Sequence, residues 1–308
     1  MQTTDLIFGF THQTVALAAM GLCYFLLFTE KLNRAVVTLL VGAGLVLCGA
    51  VSQEAAIAAI DFNTISLLTG MMIIINIAER TGMFQYVAVW GAKKVRAHPL
   101  GILIVMGFVT AVFSAFLDNV TTVLLVVPVT MQIANKLEVN PYPYLLINIF
   151  ASNIGGTATL IGDPPNILIG SALELSFTDF LFHLTPVVLT IMAAVVGMFV
   201  YFWKDSLTTS LKNRALVMNI NEKDAITDFK LLKKALWVLG MVMAAFVVAH
   251  DIGFENGFIA LAGAAVMLLL YTMGLPHTQS DEKVEDVLRR VDWTTCLLYT
   301  SPSPRDCS

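Results

Sequence analysis

The stretch Ser152-Asn153-Ile154-Gly155-Gly156-Thr157-Ala158-Thr159-Leu160-Ile161-Gly162-Asp163-Pro164-Pro165-Asn166 interrupts an otherwise apolar run from Tyr144 to Leu173. Gly155-Gly156 removes side chains where the chain must turn, and Pro164-Pro165 removes two N–H donors and stops the helix behind it. Inside lipid, opening a helix leaves N–H and C=O groups without water, at several kcal/mol each. Irregular backbone persists there only where protein shields it or where it lines a cavity. The flanking runs therefore decide the fold, because the same residues between soluble helices would be an ordinary loop.

Those runs read as membrane spans. The 308 residues are 57% hydrophobic and 13% charged, against about 45–50% and about 25% in soluble domains. Crossing a hydrocarbon layer of about 30 Å takes roughly 17–25 helical residues. Candidate spans are Thr14–Thr29, Ala35–Val51, Thr64–Ala78, Leu100–Leu117, Val120–Ala134, Tyr144–Leu173, Phe180–Trp203, Lys234–His250 and Gly257–Gly274. Met1–Gln13 carries no Lys or Arg and is not a signal peptide by its charge.

Charge asymmetry sets the orientation. With the N-terminus outside, the basic residues around Lys31, Arg80, Lys93, Lys136, Lys212, Lys233 and Arg289 all face the cytoplasm. Of the 18 Lys and Arg, only Arg305 escapes this scheme. The opposite loops carry acids alone: Glu54, Asp61, Glu174, Asp179, Asp251 and Glu255. That is the positive-inside pattern of a multi-pass protein of the inner (plasma) membrane. It requires Tyr144–Leu173 to cross an odd number of times despite its break. It leaves open whether Leu100–Ala134 is two spans or a re-entrant hairpin.

A second polar interruption, Asp118-Asn119-Val120-Thr121-Thr122, falls between Gly107–Leu117 and Val123–Val127. A carboxylate there costs at least about 2.5–3.5 kcal/mol on insertion scales. Broken helices at mid-membrane place partly positive N-termini against anions, while carbonyl-bearing C-termini build Na⁺ or H⁺ coupling sites. The candidate binding residues are Asp118, Asn119, Thr121, Thr122, Ser152, Asn153, Gly155, Gly156, Thr157, Asp163 and Asn166, with Na⁺ expected at Asn119, Thr121 and Asn153. The expected coupling ion is Na⁺ or H⁺, and no other cofactor is expected.

Other polar residues take structural readings. Asn76 reads as an interhelical hydrogen-bonding residue, and Glu79-Arg80 as an ion pair at a helix end. Cys23 and Cys48 lie in apolar runs, and no CxxC or Cys/His cluster suggests a metal. No Lys/Arg run suits nucleic acid. No GxxxxGK[ST] motif is present, so ATP hydrolysis would fall to a separate subunit. A different class, an intramembrane aspartyl protease with Asp118 and Asp163 as its dyad, is disfavoured by Pro164-Pro165 directly after Asp163.

The Ser152–Asn166 stretch, together with Leu117-Asp118-Asn119-Val120-Thr121-Thr122, resembles the arsenical-pump, Na⁺/H⁺-antiporter-D and P-protein permease branch of the ion transporter superfamily, which has a citrate-transporter-like domain. The resemblance runs from about Ile7 to Trp293. It implies an all-α, inverted-repeat carrier in which each repeat holds a re-entrant hairpin and a broken helix. Residues 1–203 would be the first repeat, with hairpin 100–134 and broken helix 144–173. Residues 204–233 would be a cytoplasmic loop and 234–295 the start of the second repeat. The tail 296–308 is too short and polar to cross and reads as non-native, leaving a truncated carrier.

Implied partners are membrane lipid and a small ion or anion; the resemblance also admits a homodimer and a separate ATPase subunit. Arsenite or antimonite efflux leads the substrate order, then Na⁺/H⁺ exchange, then citrate or dicarboxylate uptake. The order rests on the spans holding no arginine to clamp a carboxylate. A hydroxyl- and amide-lined site suits a neutral hydroxide.

Overall fold

A computed structural model describes residues 11–173 and 175–298. It is all-helical among the described residues. In chain order the helices are α1 (His12–Phe28), α2 (Arg34–Leu47), α3 (Gln53–Ala58), α4 (Phe62–Glu79), α5 (Met83–Lys94), α6 (Pro99–Ser114), α7 (Asn119–Leu137) and α8 (Tyr142–Gly156). After the break come α9 (Pro164–Ala172), α10 (Phe177–Trp203), α11 (Leu211–Met218), α12 (Phe229–Ile252), α13 (Asn256–Thr272), α14 (His277–Arg289) and α15 (Trp293–Leu298).

Local sequence places the boundaries. Asp61 opens α4 by accepting the Thr64 N–H at 3.0 Å, and a reciprocal Ser176/Asp179 capping box opens α10. Four of the described helical stretches are long and apolar enough to cross a membrane: Gln53–Glu79, Asn119–Leu137, Phe177–Trp203 and Phe229–Ala249. Four further apolar helices (α1, α2, α6 and α13) have 17 residues or fewer. The chain is a polytopic membrane protein.

Two apolar cores organise the bundle. The first gathers α4, α12 and α13 with the start of α10 and Val287 of α14. The second gathers α5, α6, α7 and α8 with Phe199 near the end of α10. The most extensive helix pairs are α4 with α13 and α6 with α8. Small residues permit both approaches: a methyl group on Gly70 would lie 2.5 Å from the Ala260 carbonyl carbon. Phe113 packs against both cores, while Leu117, Leu160 and Ile161, from the two polar interruptions, join the first. The interruptions thus lie where the cores meet.

Several segments read as loops are helical. Residues 79–99 hold α5, and 204–233 hold α11 and a 3-10 turn, Glu222–Ala225. The turn is tied down by Lys93, which donates to Glu222 at 2.5 Å and to the Ile220 carbonyl at 3.1 Å. Arg80 does not pair with Glu79. It reaches Asp286 of α14 at 2.5 Å and donates to the Tyr271 hydroxyl at 3.3 Å, joining the end of α4 to α13 and α14. Helix α15 begins at Trp293, within the expected entrance to a further span. Of the tail read as non-native, Cys296 is buried against Thr69 of α4, and residues 299–308 lie outside the described residues.

Candidate functional site

The site begins with the turn between α6 and α7. Asp118 is the N-cap of α7: one carboxylate oxygen accepts the Thr121 N–H at 2.8 Å. The fully buried Thr122 hydroxyl bonds back to the Asp118 carbonyl at 2.9 Å. An Asp cap satisfies a donor that α7 would otherwise leave open, and its charge faces the positive end of the helix. Asn119 and Thr121 remain half-buried on the first turn.

The break between α8 and α9 folds against this turn through backbone. A methyl group on Gly155 would stand 2.1 Å from the Ala111 carbonyl oxygen, and one on Gly162 would stand 2.5 Å from both the Gly156 and Ser114 carbonyl oxygens. Only glycine permits these contacts. Side chains then stitch the surfaces together. Ser114 donates to the Ser152 carbonyl at 2.6 Å, Thr159 donates to the Ala115 carbonyl, and Asn119 donates to Asn153 Oδ1 at 3.0 Å. Thr157 bonds back to the Asn153 carbonyl at 2.9 Å.

Asn166 has a specific use here. Its amide, on the first turn of α9, donates to the carbonyls of Gly156, Thr157 and Thr159 at 3.4, 3.3 and 2.9 Å. These oxygens, orphaned where α8 ends, are thereby satisfied within the protein. At the other side of the break, α9 opens with Pro164 and Pro165, which have no N–H, and the Asn166 N–H bonds to the Asp163 carbonyl at 3.0 Å. Of the two helix N-termini expected to face an anion, one is capped by Asp118 and the other starts with two residues that cannot donate.

One residue essential to this packing escaped the sequence reading. Asn148 of α8 is fully buried. It accepts from Thr110 of α6 at 3.1 Å and donates to Thr130 of α7 at 2.9 Å, holding three helices in one polar ladder. The available signal was an Asn one helical turn before Ser152, on the same face of α8.

The first turn of α7 opens onto a cavity of about 310 Å³, at the small end of ligand-site volumes. Asp118, Asn119 and Thr121 line one side, Met72 and Asn76 of α4 another, and Arg290 and Asp292 a third. Asn76 is 9% exposed and its Nδ2 has no hydrogen-bond partner, so it is not the interhelical bonding residue expected. Arg290, ion-paired with Asp286 at 3.6 Å, brings to the wall the guanidinium that the spans themselves lack. The second oxygen of Asp118 and the Thr121 hydroxyl carry no hydrogen bond among the described residues, so both are free for a ligand.

The predicted residues therefore separate into groups. Asp118, Asn119 and Thr121 line the cavity. Asn153 joins them through Asn119, while Thr122, Ser152, Thr157 and Asn166 are used in internal hydrogen bonds. Gly155 and Gly156 permit close backbone approach. Asp163 lies near enough to Asp118 for their charges to interact, but only Asp118 is in the cavity wall. A shared-proton dyad facing one ligand gains no support from that arrangement.

The comparisons agree with this architecture. Residues 24–301 match the profile of the citrate transporter family, CitMHS. An uncharacterized transporter of Mycobacterium tuberculosis is 41% identical over 280 residues, covering 90% of this chain and 63% of that protein. The 46 kDa membrane protein of Mycobacterium leprae is 35% identical over 289 residues, covering 92% and 65%. The P protein of Homo sapiens is 28% identical over 367 residues, covering 94% of this chain and 43% of that protein. The chain thus spans just under two thirds of the length of the bacterial relatives. It belongs to the citrate transporter family of membrane transporters.

Proposed function

We propose that this member of the citrate transporter family is a secondary carrier that moves a small carboxylate anion together with Na⁺ or H⁺ by alternating access. The observation that carries the reading is the cavity at the first turn of α7, whose wall combines two carboxylates, Asp118 and Asp292, with the donors Asn119, Thr121, Asn76 and Arg290. Such a wall suits a cation and an oxyanion held side by side. The side-chain oxygens of Asn119, Thr121 and Asn153, with the free oxygen of Asp118, would coordinate the cation. The donors of Asn76 and Arg290, with the Asn119 and Val120 N–H groups left open at the start of α7, would hold the anion. Orientation with the N-terminus outside, in a plasma (inner) membrane, follows from the distribution of Lys and Arg.

Placing Arg290 at the cavity moves carboxylates ahead of arsenite in the order drawn from sequence. Arsenite efflux remains the second reading, since Asn76, Asn119 and Thr121 are neutral and suit a hydroxide. Na⁺/H⁺ exchange alone would leave the donors on α4 without a use.

The test is flux into proteoliposomes holding the full-length protein, with citrate, arsenite and Na⁺-driven pH change measured in parallel. Citrate uptake should depend on a Na⁺ or H⁺ gradient and be abolished by Asn119→Ala and Asn153→Ala. Undiminished flux in both variants, or no flux of any of the three, refutes the reading.

A further inference from the structure

Among the described residues, four have a buried side-chain polar atom with no partner: Asn76, Arg80, Thr185 and Asn256. Of these, Asn76 alone lines the cavity. A buried amide N–H with no acceptor is unfavourable, and native proteins keep such groups rarely and usually for a reason. The neighbours of Asn76 on the cavity wall of α4, Leu68, Met71, Met72 and Ile75, are all apolar. An apolar residue would fit that surface without the cost of an orphaned donor.

From this we infer that Asn76 is a substrate-binding residue, donating its side-chain N–H to an oxyanion oxygen of the transported ligand from the wall opposite Asp118. The inference rests on the carrier reading and deepens it by naming a ligand contact outside the two polar interruptions. Placement supports a donor role. Asn76 belongs to the first core, which also holds α12 and α13, whereas Asp118, Asn119 and Thr121 belong to the turn that closes α6 against α7. A ligand bonded to both sides would bridge α4 and the start of α7, so occupancy would report on their relative position. The chemistry also agrees: an anion needs donors, α9 opens with two prolines that have none, and the unpartnered Asn76 amide would join the Asn119 and Val120 N–H groups left open at the start of α7.

The experiment uses the full-length protein, purified and reconstituted, with citrate as the anionic probe and arsenite as the neutral one. Thermal unfolding is followed with and without each probe, and uptake is measured for KM and maximal rate. Asn76→Leu removes the orphaned donor at similar volume, so the ligand-free protein should melt at or above the wild-type temperature. Its citrate KM should rise roughly ten- to a hundredfold, the cost of losing a buried hydrogen bond to a charged oxygen, and the citrate-induced rise in melting temperature should shrink with it. Asn76→Asp, which keeps the shape and substitutes an acceptor, should lose citrate more completely than Asn76→Leu.

A purely structural Asn76 gives the opposite pattern: Asn76→Leu melts lower and its citrate KM is unchanged, which overturns the assignment while leaving the carrier reading intact. Asn76→Asp retaining wild-type affinity for citrate overturns it too. If wild type binds arsenite but not citrate, and Asn76→Asp preserves that binding, Asn76 accepts from a neutral hydroxide and the oxyanion contact is wrong. Wild-type protein that moves neither probe overturns the carrier reading, and the Asn76 assignment with it.

Discussion

A single methyl group placed on Gly155 tests whether the α6–α8 contact is as close as the structure has it. The added carbon would sit 2.1 Å from the Ala111 carbonyl oxygen, 2.4 Å from its Cα and 2.6 Å from its carbonyl carbon. Ordinary contact starts at 3.4 Å, so the helices have to part by about 1.3 Å. All three obstacles are backbone, so no rotamer change relieves the clash and Ala111→Gly cannot rescue it. A radial gap of 0.5–1 Å already forfeits about a quarter to a half of a dispersion contact, and overpacking of this kind typically costs about 1–3 kcal/mol. The upper half of that range is expected, because the same separation strains the Ser114–Ser152 hydrogen bond at 2.6 Å. The assay is thermal or denaturant unfolding of the full-length protein in detergent, with Gly197→Ala as the control. Gly197 has nothing within 4 Å of an added carbon and lies inside α10, so alanine there should be neutral or stabilising by up to about 1 kcal/mol. Gly155→Ala within about 0.5 kcal/mol of wild type would refute the close approach.

Asn148→Ala should cost about 2–3 kcal/mol, from two interhelical hydrogen bonds at about 0.6 kcal/mol each plus a small void. Asn148→Leu should cost about 1 kcal/mol, since Thr110 and Thr130 keep their bonds to the Met106 and Val126 carbonyls; equal losses in unfolding experiments would contradict the ladder. Asp118→Asn should keep the helix cap and stability within about 0.5 kcal/mol while Asp118→Ala loses about 1 kcal/mol; cation-dependent flux falling in both variants assigns the loss to charge, and unchanged flux in Asp118→Asn refutes a cation role. The hydrogen bond from Arg80 holds the Asp286 carboxyl below its usual range. Because the folded-state value is the lower one, this contribution is complete above the ordinary carboxylate range of about 4 and is lost as pH falls through the folded value. The exchange protection of α14, corrected for the intrinsic pH dependence of amide exchange, should therefore be level from pH 8 to 5 and fall in stronger acid, while Asp286→Asn should show the reduced protection at neutral pH.

The fold was legible where sequence imposes a single outcome. Glycine pairs, a Pro-Pro step and polar residues inside apolar runs admit few structures in lipid, so the break at Thr157–Asp163 lies within the segment marked in the sequence, whereas the α6–α7 break falls at residues 115–118 and Asn119–Thr122 form the first turn of α7. The ends of α10 and α13 likewise follow the ends of their apolar runs within a few residues. Helix α5 and the turn at Glu222–Ala225 were not legible, because amphipathic segments at a membrane surface show neither a long apolar run nor a strong breaker. Arg80 paired with Asp286, 206 positions away, rather than with its neighbour Glu79, and local sequence contains no information about that choice. The site was legible in part. Residue type marked Asp118, Asn119 and Thr121, but whether an amide is used internally, as in Asn166, or left free, as in Asn76, is decided by the neighbours that packing supplies.

That division governs what a ligand would meet. Around the break, the most conspicuous polar groups of the sequence are already consumed: Asn166 satisfies the carbonyls ending α8, Ser114 and Thr159 join the turn to the break, and Asp118 caps α7. These bonds satisfy the irregular backbone within the protein, so they cannot be released for a ligand without opening the break itself. Binding must then draw on side chains that the break does not need: the second Asp118 oxygen, Thr121, Asn119 and the amide of Asn76 across the cavity. Three of these stand at the start of α7 and one on α4. A site assembled in this way changes shape whenever α4 shifts against the start of α7, whereas one built from the internal bonds of the break would move as a rigid piece. The proposed alternating access requires the former.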